Sequence, residues 1–183
     1  MKPLFARLAL FAGAAGILAA AALPISAQQV ETASSVDLKR FAGRWYEIAR
    51  IPNGVQQECV GNTTADYRLM DGGAIEVANR CKTADGKIAL AMGQAKVVDK
   101  TGNAKLQVRF APSWLSWLPM VWSDYWIIQL DSDYTVATVG SPNRETLWIL
   151  SRTPTLPSAE YESRVNNATR QGFDTSKLLK TLQ

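Results

Sequence analysis

Between Trp45 and Arg152 the chain alternates apolar and polar residues in short runs. Ile75, Val77 and Asn79 interleave with Glu76 and Ala78, the two-residue period of a half-buried strand. Runs of this kind fall at 45–50, 62–70, 74–82, 88–98, 104–110, 122–130, 135–140 and 146–152. Turn-forming residues separate many of them: Asp71-Gly72-Gly73, Asp85-Gly86, Thr101-Gly102-Asn103 and Ser141-Pro142-Asn143. Short strands at this spacing predict an all-β barrel or sandwich. After Pro154 and Pro157 the period changes. Residues 158–171 hold no Pro or Gly and read as a helix, with Ser158 placed to cap it and Gly172 to end it. Tyr161, Val165, Ala168 and Phe173 fall near one face, which suits packing against the strands. Eight strands also suffice to close a barrel, which has no free edge and encloses one small ligand. No internal repeat or dividing linker is visible.

The N-terminus reads differently. Lys2 and Arg7 flank an apolar run, Leu8 to Ala22, and small residues follow at Ser26-Ala27. This is the pattern of a secretory signal peptide over 1–27, with an uncleaved anchor as the other reading. No Cys stands at the cleavage point, so no lipoprotein anchor is expected there. Residues 28–36 are small and polar and read as a flexible arm. The folded domain is expected at 37–183, with a short turn or helical start at 36–41.

Export changes the reading of the cysteines. Cys59 and Cys81 form an even count, which suggests one disulfide, two buried free thiols being the alternative. The formal charge is +4, and the leader carries two of those cations. That is too mild a surplus to suggest nucleic-acid binding. There is no histidine. Ser-His-Asp and Cys-His catalysis and His-ligated metals are therefore excluded, and two cysteines make a poor metal site. No cofactor is implied.

Three motifs then narrow the fold. Gly43-Arg44-Trp45-Tyr46-Glu47-Ile48-Ala49-Arg50 resembles the lipocalin opening motif, whose core is Gly-x-Trp. Ser132-Asp133-Tyr134 falls where that family carries Thr-Asp-Tyr, between strands six and seven. Leu147 to Pro154 resembles the third motif, with Arg152 ending strand eight. The three in order, over residues 36–183, are most similar to bacterial outer-membrane lipocalins and the apolipoprotein D group. The resemblance implies an eight-stranded antiparallel up-and-down β-barrel, open at one end, with a C-terminal α-helix on its side. In such a barrel Gly43 permits the turn into strand one. Trp45 plugs the closed end, and Arg152 stacks on its ring and bonds nearby carbonyls.

That topology assigns the remaining residues. Connections 51–61, 83–87, 111–121 and 141–145 fall at the open mouth, where Cys59 and Cys81 come within bonding reach. Inward alternation from Trp45 gives Glu47 and Ala49. Glu47 either forms an internal ion pair or meets a ligand head group. Further wall candidates are Tyr67, Val77, Met92, Val108, Tyr125, Ile127 and Trp148, with bulges able to shift their parity. Tyr125 reads either as a core residue or as one that orients a polar head. Connection 111–121 holds Trp114, Leu115, Trp117 and Leu118 and runs into Trp122. It reads either as a cap on the barrel core or as a lid or membrane-touching tip, and it could serve a homodimer as readily. The expected function is carriage of a small hydrophobic ligand, a fatty acid or lysophospholipid, without catalysis. A docking module with a filled cavity is the alternative, and a lipocalin-type isomerase the weaker one. The expected location is periplasmic or secreted, with peripheral outer-membrane contact open.

Overall fold

The computed structural model describes residues 29–54 and 56–183. The expected leader lies outside them. Eight strands follow the alternating runs closely: β1 (Gly43–Arg50), β2 (Cys59–Leu69), β3 (Ile75–Thr83), β4 (Ile88–Val97), β5 (Lys105–Arg109), β6 (Ser123–Leu130), β7 (Val136–Gly140) and β8 (Leu147–Ser151). Each pairs antiparallel with its neighbours in sequence, and β1 pairs with both β8 and β2 to close a barrel. Two helices, α1 (Leu38–Phe41) and α2 (Ser158–Arg170), flank it. A ninth strand, β9 (Leu179–Lys180), was not expected from the alternation and lies against β1.

Strand β7 is buried at every position because both its faces are covered. Its inner face meets the core. On the outer side of the barrel, Leu147 and Ile128 meet Ala168 of α2 and Phe173 just beyond it. Gly172 ends α2 with φ +85°. The Gly172 N–H donates to Thr169 and the Phe173 N–H to Ala168, at 2.9 and 3.1 Å. This paired ending turns Phe173 back onto the wall beside Ala168. The start of α2 corrects the sequence reading. Pro157 holds the N-cap position without a side-chain bond, and Ser158 is already helical. The fixed φ of proline organises that start instead of a hydroxyl.

The arm is also corrected. Its described part is docked: Val30 and Val36 are buried, the Ala33 N–H donates to the Ile127 carbonyl, and the Val36 N–H to that of Gly102. Two valines among small polar neighbours provide the apolar anchors.

The closed end is dense with satisfied bonds. Trp45 is fully buried, and its indole N–H donates to the Phe41 carbonyl at 2.8 Å. The Arg152 guanidinium lies 3.9 Å over the Trp45 ring. It donates to the carbonyls of Arg40, Phe41, Ala42, Arg44 and Tyr134 at 2.7–3.2 Å. Gly43 sits at φ +95°, beneath that guanidinium. In the β6–β7 turn Tyr134 accepts a bond from the Asp37 N–H through its hydroxyl, and Arg40 stacks on its ring. The sequence motif draws attention to Asp133, which is exposed. Asp131 shapes the turn: its carboxylate accepts from the Thr135 N–H and hydroxyl and from the Val136 N–H.

Candidate functional site

Above Trp45 the barrel holds a cavity of about 450 Å³. That volume falls within the usual range for small-molecule sites, roughly 300–1,000 Å³. Leu69, Ile75, Ala95, Leu106 and Leu150 form much of its apolar wall. Of the nine wall candidates, Glu47, Tyr67, Val77, Val108, Tyr125 and Trp148 line it, and Ala49, Met92 and Ile127 do not.

The three exceptions have different causes. A bulge between Glu47 and Ala49 shifts the β1–β8 register, so Ala49 stands opposite Ile149 and leaves the lumen. Met92 stands opposite Ala78, whose neighbours Val77 and Asn79 face in, so Met92 faces out with Ile88. The inward positions of this part of β4 are Ala89 and Ala91, and apolar size is a poor guide to parity. Ile127 is fully buried, packed in the core below the cavity. Period-two extension from Tyr67 and Val77 reaches Ala65 and Asn79, lining residues the sequence reading passed over, and Thr63, beside the register shift between Gly61 and Thr64, lines the cavity too.

The same bulge explains the polar centre of the wall. Residues three apart on a regular strand face opposite ways. Here Glu47 and Arg50 share a side, and the Arg50 guanidinium donates to Glu47 Oε1 at 2.7 Å. Glu47 is 3% exposed. Its carboxylate also accepts from Thr181 Oγ1 at 2.6 Å and Gln56 Nε2 at 2.8 Å, while Gln56 Oε1 accepts from the Trp148 indole at 3.0 Å. A buried carboxylate held by three donors is an internal ion pair.

Thr181 reaches Glu47 because the C-terminal segment lies in a seam. β1 pairs with β2 only from Gly43 to Tyr46. Nearer the mouth Ala49 and Arg50 pair with β9. The Thr181 N–H donates to Ile48, the Asn62 N–H to Leu182, and Gln183 Nε2 to the carbonyls of Glu47 and Thr63. Residues 179–183 thus join the two strands where they diverge.

Across the lumen the Tyr67 and Tyr125 hydroxyls lie 2.6 Å apart. Burial pushes Tyr67 up to about 12, despite the opposing hydrogen bond from Tyr125. Burial also raises Tyr125 well above its ordinary value, with Tyr67 and the charge of Glu47 adding to it. Both phenols are therefore neutral hydrogen-bonding groups at any physiological pH.

At the mouth Cys59 and Cys81 are joined in a disulfide, with Cα atoms 5.5 Å apart, tying the start of β2 to the end of β3. The 111–121 connection does not fold its large rings over the core. Trp114, Trp117 and Met120 are 72%, 75% and 86% exposed. Leu115 and Leu118 are half-buried, and Val121 reaches the cavity. Trp122 is half-buried, its indole bonded to the Ser116 carbonyl and its ring carrying Lys96 at 3.9 Å. Beside this loop, residues 88–93 pair with β3 but not with β5, whose ladder with β4 stops at Gln94. The wall is therefore thin there.

Comparison with known proteins agrees with this architecture. Residues 36–183 match the lipocalin-like domain family. Temperature-induced lipocalin-1 of Arabidopsis thaliana is 39% identical over 158 residues, covering 85% of this chain and 84% of the plant protein. The outer membrane lipoprotein Blc of Escherichia coli (strain K12) is 34% identical over 169 residues, covering 92% of this chain and 91% of its own. In fold, insecticyanin from the tobacco hornworm Manduca sexta superposes with a TM-score of 0.63 at 22% identity, covering 85% of each chain. With a family match across nearly all the described residues and relatives this similar, the chain belongs to the lipocalin family.

Proposed function

We propose that this protein binds and carries or stores a fatty acid or lysophospholipid in the barrel, and that its Trp-rich loop meets a lipid surface. The observation that carries this reading is the apolar cavity of about 450 Å³ opening beside exposed Trp114 and Trp117. Each buried CH₂ contributes about 0.8 kcal/mol, so an acyl chain binds tightly without chemistry. Tryptophan suits the boundary of water and lipid, its ring apolar and its N–H polar. The groups facing the lumen suit holding more than catalysis: the cysteines are bonded to each other, and Glu47 is tied by three donors. The apolar leader pattern and the likeness to a protein named as an outer membrane lipoprotein support an exported location, periplasmic or secreted.

Native mass spectrometry tests the reading on protein expressed with its leader and purified without detergent. Bound masses of fatty acids or lysophospholipids are expected. A barrel that is empty and takes up no offered acyl probe overturns it. That result would favour a docking module, which the exposure of Trp114, Trp117 and Met120 also supports.

A further inference from the structure

We propose that the lumen contains a neutral hydrogen-bonding subsite, formed by Thr63, Asn79 and the Tyr67–Tyr125 hydroxyl pair, that takes an uncharged oxygen-bearing group of the ligand: an ester, amide or hydroxyl. The inference rests on the reading of the lumen as a ligand site.

Thr63 is 4% exposed and lines the cavity, and its hydroxyl has no hydrogen-bond partner. The side-chain oxygen of Asn79, also in the cavity wall, is likewise buried and unpartnered. Buried polar atoms are usually bonded, and leaving one unmet is costly, so two on one wall call for an explanation. The register orders them along the wall. Ala65 stands opposite Asn79 and Tyr67 opposite Val77, so Asn79 is one inward step from the Tyr67 level, and Thr63 lies further toward the mouth, beside the register shift between Gly61 and Thr64.

The tyrosines complete the site. β2 and β6 lie on opposite walls of the barrel, so the hydroxyl pair bridges the lumen. Two phenols carry two protons, and their mutual bond uses one. The second is free to donate to a ligand oxygen. Thr63 and Asn79 each offer both donor and acceptor capacity. The set therefore matches a group that both accepts and donates, or a carbonyl with an adjoining hydroxyl or N–H.

The charges around the site favour a neutral guest. Glu47 faces the same lumen, and its negative charge is felt at both phenols. Arg50 is committed to Glu47. Arg80 is committed to Asp66 at 2.6 Å. Arg109, at the rim, donates only to neutral acceptors, the Ala111 carbonyl and Gln94, and its Nε is unpartnered, but it lies beyond Leu106, the β5 residue that stands opposite Tyr125. An anionic group at the phenol level would lose its water beside a carboxylate and gain no cation of its own.

The test compares ligands that share one acyl chain, each below its micelle concentration: dodecanoic acid, dodecanamide and 1-monododecanoylglycerol. Each displaces the apolar fluorophore N-phenyl-1-naphthylamine from the full mature protein at neutral pH. The amide and the glyceride are expected to bind about tenfold more tightly than the acid. Asn79→Leu, close in shape, and Thr63→Val are each expected to erase most of that preference while binding the fluorophore at least as well. Fluorophore binding by either variant reports an intact barrel, and the two substitutions serve as independent checks if one disturbs folding. Equal or tighter binding of the acid by the parent protein overturns the subsite, as does a preference unchanged in both variants; either result leaves the carrier reading standing. Failure of the fluorophore and all three ligands to bind overturns both.

Discussion

The two ends of the barrel are built on opposite terms. At the closed end one arginine donates to five backbone carbonyls over a fully buried tryptophan ring, and Asp131 caps the last turn. At the mouth tryptophan rings stand in solvent, half of β4 lacks a second neighbour, and buried oxygens of Thr63 and Asn79 in the wall have no hydrogen-bond partner. Both ends spend tryptophan, with different results. Trp45 has its ring covered and its N–H bonded, so it stabilises. Trp114 and Trp117 have their rings bare, so they contribute little to folding and remain available for contact.

Substitutions should separate the two ends in order of size. Trp45→Ala empties the plug and leaves Arg152 without its ring. It should cost about 3–5 kcal/mol in urea unfolding. A loss under 1 kcal/mol would mean that the closed end does not anchor the barrel. The double change Cys59→Ser with Cys81→Ser frees a mouth loop of sequence separation 22. It should cost about 3 kcal/mol by the same measurement. Trp114→Ser with Trp117→Ser should shift stability by no more than about 0.5 kcal/mol. The same pair should abolish sedimentation with liposomes while leaving soluble-ligand binding intact; liposome binding equal to the parent's would remove the loop from the lipid contact.

The smallest effect is a pH dependence at the closed end. Partial burial pushes the Asp131 pKa up, but bonds from Val136 and Thr135 outweigh it and hold the value below the ordinary one. A depressed folded-state pKa stabilises above the unfolded value and loses that contribution as pH falls through the folded one. Thermal unfolding of the parent should therefore weaken below about pH 4, and Asp131→Asn should flatten that limb. An equally steep limb in the variant would assign the acid sensitivity elsewhere.

The alternation of side chains made most of this architecture legible. Eight strands and the helix follow from period and turn chemistry, which left barrel and sandwich open, and the resemblance of three motifs to those of lipocalins pointed to the barrel. The closed end was the more readable because its residues act through backbone geometry that short motifs encode. The lumen was harder. Parity carries along a strand only until a bulge, and the bulge at Glu47–Ala49 has no mark in Gly or Pro. Met92 stands outside the lumen because its strand presents Ala89 and Ala91 inward, and residue type alone does not reveal that parity. β9 was invisible because two residues do not show a period, and its partners are far off in sequence. Asp131 was overshadowed by Asp133, the acid that the motif names, because capping depends on which carboxylate the turn folds over.

The seam between β1 and β2 also has a meaning in time. Its last bonds come from residues 179–183, and Thr181 reaches Glu47 across a sequence separation of 134. A chain emerging from its N-terminus offers β1 long before the segment that completes the seam exists. Until then the upper half of β1 is an unzipped edge and Glu47 lacks one of its three donors. Contacts this remote form slowly, because the intervening loop must close first. The wall between β1 and β2 is therefore completed only as residues 179–183 dock, and truncation there would leave that side of the vessel open as well as its mouth.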